Sequence, residues 1–151
     1  MSTVSDSTVI RVSGAPKPVG AYPHARRAGD WLILSGIGPR PADGGGVPGL
    51  VLNDDGSIQS YDIEAQCHAV FANVRTVLES AGATLEDLID VTVYLTNIPE
   101  DFTTYNRVYA EYFDADTGPC RTTVEVTRLP TPIAIELKCI ALAPTNTEEP
   151  G

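Results

Sequence analysis

Apolar residues recur along the chain with two periods, and each period predicts an element. From residue 61 to 81 they fall at Ile63, Cys67, Val70, Val74, Val77 and Ala81, steps of four and three that trace one stripe of an α-helix. Ser60 is placed to cap its start, Asp62 and Glu64 suit the positive end of its dipole, and Gly82 is placed to end it. The next run alternates, Ile89, Val91, Val93 and Leu95 against Asp90, Thr92 and Tyr94, which predicts a strand. Asn97-Ile-Pro-Glu100 carries a second helix start, and Phe102, Tyr105, Tyr109 and Tyr112 continue it as an aromatic stripe. Strands over 121–127 and 133–142 close the chain, joined by Leu129-Pro-Thr-Pro132, whose prolines suit a turn.

Earlier in the chain, residues 28–36 place a nearly continuous apolar run between a Gly-Asp turn and a glycine, the pattern of a strand buried on both faces. Residues 39–60 are rich in Pro, Gly, Asp and Asn, with only 50–52 as a short strand. A loop of that length is usually functional or disordered. Residues 1–6 and 144–151 are small and polar and are expected to fray. The order of elements predicts an α+β fold, a single domain over 1–151 with its core at about 16–143 and one sheet covered by two helices.

Composition narrows the function. At 151 residues and 42% hydrophobic, the chain fits one globular domain with a true core. A formal charge of −10 repels polyanions, so no nucleic acid is expected as a partner. Cys67, Cys120 and Cys139 are odd in number and widely spaced, which suits reduced thiols in the cytoplasm, read as small buried hydrophobes. No apolar run reaches eighteen residues and no signal-like segment opens the chain, so no membrane contact or export is expected.

Candidate chemistry concentrates near the end. On a strand, Arg121, Thr123 and Glu125 share one face and Thr122, Val124 and Val126 the other. With the apolar set expected to point to the core, Arg121 faces outward toward water, a partner chain or a ligand. A plain pairing with Glu125 is the structural alternative. Glu136 interrupts an apolar run that only Lys138 breaks again, on the same face. It is either a surface carboxylate or a tuned acid/base. Burial would raise its pKa and a nearby Arg121 would lower it. His24 and His68 are too few to hold a metal. A Schiff base would have to rest on Lys138, no phosphate-cradling glycine pattern is present, and Ser35-Gly36 lacks the nucleophile elbow, so no cofactor is expected.

Several short motifs, taken together, carry a resemblance. They are Pro18-Val-Gly-Ala-Tyr22, Leu34-Ser-Gly36, Asp62-Ile-Glu-Ala-Gln66, Ala81-Gly-Ala83, Val91-Thr-Val-Tyr-Leu95, Asp101-Phe with Tyr105-Asn106, Pro119-Cys-Arg121, Val124-Glu-Val126 with Leu129-Pro130, and Ile135-Glu136. The chain resembles the RidA/YjgF family of reactive-intermediate deaminases. That resemblance implies a chorismate-mutase-like fold and a homotrimer with sites in the clefts between subunits. It implies a substrate-carboxylate arginine at Arg121, a water-positioning glutamate at Glu136 and pocket residues Tyr22, Ser35 and Asn106. Where many members carry a cysteine, Thr123 stands here, with a hydroxyl still able to bond a ligand.

Residues 22–26 and 35–40, the extended loop with Val47-Pro-Gly49, and the 121–126 and 130–132 segments are similar to the 2-aminomuconate deaminase branch. A dicarboxylate needs a second cation, for which Arg40 is the candidate, with His24 or Arg26 in reserve. The expected activity is hydrolytic deamination of a small carboxylated enamine/imine substrate, 2-aminomuconate foremost, with the 39–60 loop as lid. The alternatives are a general 2-imino acid deaminase acting on 2-iminobutyrate or 2-iminopropanoate, or a non-catalytic module binding a metabolite or a protein.

Overall fold

A computed structural model describes residues 8–144; the two expected frayed ends therefore lie almost wholly outside the described residues. Six strands form one mixed sheet in the order β1-β2-β3-β8-β6-β7: β1 (Thr8–Ile10), β2 (Ala25–Ala28), β3 (Trp31–Leu34), β6 (Leu88–Leu95), β7 (Cys120–Glu125) and β8 (Ile135–Leu142). All neighbours are antiparallel except β6 and β7, which run parallel because helix α2 (Ile98–Tyr112) carries the chain back between them. Helix α1 (Ile63–Ser80) packs beside α2, and the pair covers one face of the sheet.

The helical stripe read from sequence is the buried one: Cys67, Val70, Val74 and Val77 lie in the core, joined by Phe71 and Leu78. The cap of α1 is Asp62, whose carboxylate accepts from Ala65 N at 3.0 Å, and not Ser60, which ends a strand. Gly82 follows the helix at φ +80°, a conformation that favours glycine. In α2, Asn97 caps as expected, accepting from Glu100 N at 3.2 Å.

Four further expectations need correction. In the 39–60 segment the short strand expected at 50–52 forms as β4 (Val51–Leu52), but it is not alone: β5 (Ile58–Ser60) pairs with it in a hairpin around an Asp-Gly turn. Strand β3 is buried on one face only, because its run of four apolar residues straddles a covered and an uncovered side; Leu32 and Leu34 are fully buried, whereas Trp31 and Ile33 are 48% and 40% exposed. Cys67 and Cys139 are buried but Cys120 is exposed, since β7 is an edge strand.

The fourth concerns the faces of β7. Arg121 and Thr123 pair with Val91 and Val93, so they look toward the helices, while Thr122 and Val124 pair with Thr92 and Tyr94 on the open side. The physical reason is that α2 offers this edge aromatic rings, which shelter an arginine stem as well as they shelter a valine.

Candidate active site

Two groups of side chains form, and the sheet separates them. The first lies where α2 meets β7. Arg121 Nη1 donates to Asn106 Oδ1 at 2.9 Å, and its guanidinium carbon sits 5.2 Å from the ring centre of Tyr105 and 4.7 Å from that of Tyr109. Stacked on two aromatic faces and held at one nitrogen, the guanidinium has lost most of its freedom, yet its remaining N–H edge is available for a planar anion. Glu125 does not pair with it; that carboxylate accepts from Ile98 N instead. Thr123 Oγ1 lies 2.8 Å from Tyr105 Oη. Tyr109 keeps a buried hydroxyl without a protein partner, and burial pushes its pKa up to about 12 against the pull of Arg121.

The second group gathers around Glu136 on the open side of β8. Ile37 and Leu137 exchange backbone hydrogen bonds at 2.9 Å, which lays Ser35 and Gly36 against the carboxylate. The fit is close enough that a Cβ on Gly36 would stand 3.1 Å from Glu136 Oε2. Burial raises the pKa of Glu136 and the Arg40 charge opposes it, so the cation acting on this acid is Arg40 and not Arg121. Gly36, which touches Glu136, also lines a cleft of about 30 Å³ with Pro18, Tyr22, His24, Ser35 and Arg40. That is room for a water molecule, not for an acid of six carbons.

Hydrogen bonds decide which of these side chains are free. Ser35 Oγ donates to Pro23 O at 2.7 Å and retains lone pairs; Tyr22 Oη accepts from Val19 N at 3.2 Å and retains its proton. Arg40 Nη2 donates to Lys17 O at 3.0 Å. His24 does not stand ready as a ligand-binding cation: Nδ1 accepts from Val12 N at 3.0 Å, which places the proton on Nε2, and Nε2 donates to Pro16 O at 2.8 Å. It clasps the segment before β2, with both nitrogens used. Lys138, on the same side as Glu136, donates to Leu34 O, and burial lowers its pKa. Arg26 lies on the open face of β2, across from Ile33.

The structure thus brings Arg121, Asn106 and Thr123 together, and Tyr22, His24, Ser35, Arg40 and Glu136 together, but not the two sets. Glu136 pairs with Tyr94 on β6 and Arg121 with Val91, on opposite faces and separated by two strand spacings of roughly 5 Å each. An Arg121 acting on Glu136 within one chain is therefore a correction to the sequence reading. Sequence reasoning saw the tyrosines of α2 as a stripe but not as the seat of Arg121, because the 105–121 contact crosses a helix and a turn. Among the described residues no group of three His, Cys, Asp or Glu could hold a metal ion, and no helix is long and apolar enough to cross a membrane.

Comparison with known proteins agrees with the fold. A family model described as Endoribonuclease L-PSP matches residues 12–143. A RutC family protein of Pyrococcus horikoshii is 41% identical over 133 residues, 88% of this chain and 95% of that one. Reactive Intermediate Deaminase A of Arabidopsis thaliana, a chloroplastic protein, is 33% identical over 88% of this chain and 64% of its own. The crystal structure of the Escherichia coli YjgF gene product superposes with a TM-score of 0.75 at 31% identity, covering 89% of this chain and 98% of that one. With the family model running from before the His24 clasp to past Glu136 and both groups inside it, the chain belongs to the RidA/YjgF family, whose model bears the Endoribonuclease L-PSP description.

Proposed function

We propose that the protein hydrolyses enamine/imine acids to 2-oxo acids and ammonia, with 2-aminomuconate as the preferred substrate and 2-oxohexenedioate as its product. The observation that carries this reading is the division of the chemistry into two incomplete halves. An immobilised guanidinium with a free edge lies on one face, and a desolvated carboxylate beside a water-sized cleft lies on the other. Neither half could hold and hydrolyse an acid alone. Copies of the chain packed with the β7 edge of one against the open sheet face of the next would join them, and a homotrimer with three shared sites is the assembly we infer.

In the joined site Arg121 binds the carboxylate next to the reacting carbon, and Asn106 and Tyr22 orient it. The enamine tautomerises to the imine, which is already electrophilic, so the protein chiefly positions it and a water. Glu136 takes a proton from that water as oxygen bonds to the imine carbon, and then returns a proton to nitrogen. Glu136 then carries the hydroxyl proton of the resulting carbinolamine to the nitrogen as the C–N bond breaks, ammonia leaves and the C=O bond forms. Nothing in these steps calls for a metal or an organic cofactor. Arg40, beside Glu136, is placed to meet a second carboxylate at the far end of a dicarboxylate. The name of the Arabidopsis relative supports deaminase chemistry, whereas a formal charge of −10 argues against RNA as substrate. The free thiols fit a reducing cytoplasm.

The test is ammonia release from 2-aminomuconate by Arg121→Ala, by Glu136→Gln and by the two mixed after partial unfolding and reassembly. Each variant alone is expected to be inactive. Random mixing restores Arg121 and Glu136 to about a quarter of shared sites, so roughly a quarter of wild-type activity should return. No recovery in properly reassembled mixtures would refute a site shared between chains.

A further inference from the structure

Thr123 stands beside Arg121 on the helix side of β7, and its hydroxyl is already engaged by Tyr105 at 2.8 Å. The direction of that bond decides whether Thr123 has a proton left for a ligand. Tyr105 is fully buried, so its O–H must find an acceptor inside the protein. The Arg121 guanidinium over its ring has only donors to offer, and its charge repels a phenolic proton turned toward it. Thr123 Oγ1 is the acceptor within reach. Burial also raises the pKa of Tyr105 against the pull of the Arg121 charge, so the phenol keeps its proton. Tyr105 therefore donates and Thr123 accepts, which leaves the threonine hydrogen free to turn outward. Residues two apart on one strand face stand about 7 Å apart, a distance one carboxylate spans when it accepts a hydrogen bond at each oxygen.

We propose that Tyr105 is a positioning residue: by donating to Thr123 Oγ1 it aims the threonine hydroxyl, beside Arg121, at the carboxylate of the substrate. The inference rests on the reading of Arg121 as carboxylate anchor. It gives Tyr105 a task that its sequence position, on an aromatic stripe that packs the core, does not disclose.

Binding of 2-oxobutyrate, a stable stand-in with oxygen in place of the imine nitrogen, is measured by titration calorimetry, alongside KM and kcat for 2-iminobutyrate generated in place. Tyr105→Phe keeps the ring over Arg121 and removes only the O–H. Its Kd and KM are expected to rise about three- to tenfold with kcat within about twofold of wild type. Thr123→Val should give the same rise, Thr123→Ser should retain wild-type affinity, and the Tyr105→Phe/Thr123→Val double variant should be no weaker than Thr123→Val alone. Unchanged affinity in Tyr105→Phe, or effects of the two substitutions that multiply, overturn the positioning role. Arg121→Lys separates the two ideas. If it abolishes binding while Tyr105→Phe does not weaken it, only the positioning role falls; if it leaves binding intact, the anchor reading fails as well.

Discussion

At the scale of single residues, Glu136 is held where an ionised carboxylate is least comfortable. Its folded pKa lies above the ordinary 4.5 because burial outweighs the Arg40 charge. A raised carboxyl pKa means that the folded state keeps a proton the unfolded chain has released. The stabilisation tied to that proton is full below 4.5 and is lost as pH rises through the folded value. Replacing the acid with a neutral amide should remove that loss. Glu136→Gln is accordingly expected to melt at a higher temperature than wild type at pH 7, with the two curves converging toward acid, while turnover falls about 10²- to 10⁴-fold. Thermal scans and ammonia release over the same pH series check both halves. Arg40→Ala is expected to lose far more 2-aminomuconate than 2-iminobutyrate turnover, since the shorter acid has no distal carboxylate and feels only the loss of the Arg40 charge on Glu136. Equal losses on the two substrates would remove Arg40 from that role. Gly36→Ala should cost activity through KM and kcat together, because its methyl would press on the Glu136 carboxylate, 3.1 Å away.

At the scale of elements, each half-site depends on a tie between segments far apart in sequence. Asn73 on α1 donates to Gly38 O and Arg40 O, both at 2.8 Å, and so holds the loop that carries Arg40. Asn73→Ala leaves two carbonyls without that donor and is expected to cost about 1–3 kcal/mol of stability by denaturant titration. The loss in KM should be larger for 2-aminomuconate than for 2-iminobutyrate. Both helices were legible in the sequence because an amphipathic stripe repeats over many turns, as Cys67 to Val77 shows. Strands β1 and β2 were not. Residues 8–10 are too few for a period to register, and Ala25–Ala28 contains two arginines, one of which reaches Ala81 O and Ala143 O at the rim of the core.

At the scale of the whole molecule, the uncovered sheet face is the feature that one chain leaves unexplained. Trp31, Ile33, Leu142 and Val124 are 48%, 40%, 41% and 37% exposed there, with Ile140 and Tyr94 between them. On the same face they alternate with Arg26, Asp90, Thr92, Thr122, Glu136 and Lys138; exposed apolar side chains mixed with polar ones on an ordered sheet mark an interface, and the proposed trimer buries them. Ile33→Glu is expected to shift the protein from trimer to monomer by light scattering coupled to size exclusion, and to abolish ammonia release while leaving a folded far-ultraviolet circular dichroism spectrum. A monomer with full activity would contradict the shared site.

The sequence by itself determined what is local or repeated. It settled the two helices with the cap at Asn97 and the stop at Gly82, the alternation of β6, and the residue types and order of a family whose Arg121 and Glu136 can be located by motif. Only the tertiary structure decided which way the edge strand faces, because an arginine stacked on Tyr105 and Tyr109 occupies a position that a period of two reserves for an apolar side chain. It alone decided that His24 is a clasp and that Arg40, not Arg121, acts on Glu136. Both outcomes depend on strand order, register and contacts between separate segments, which leave no trace in the spacing of any one of them.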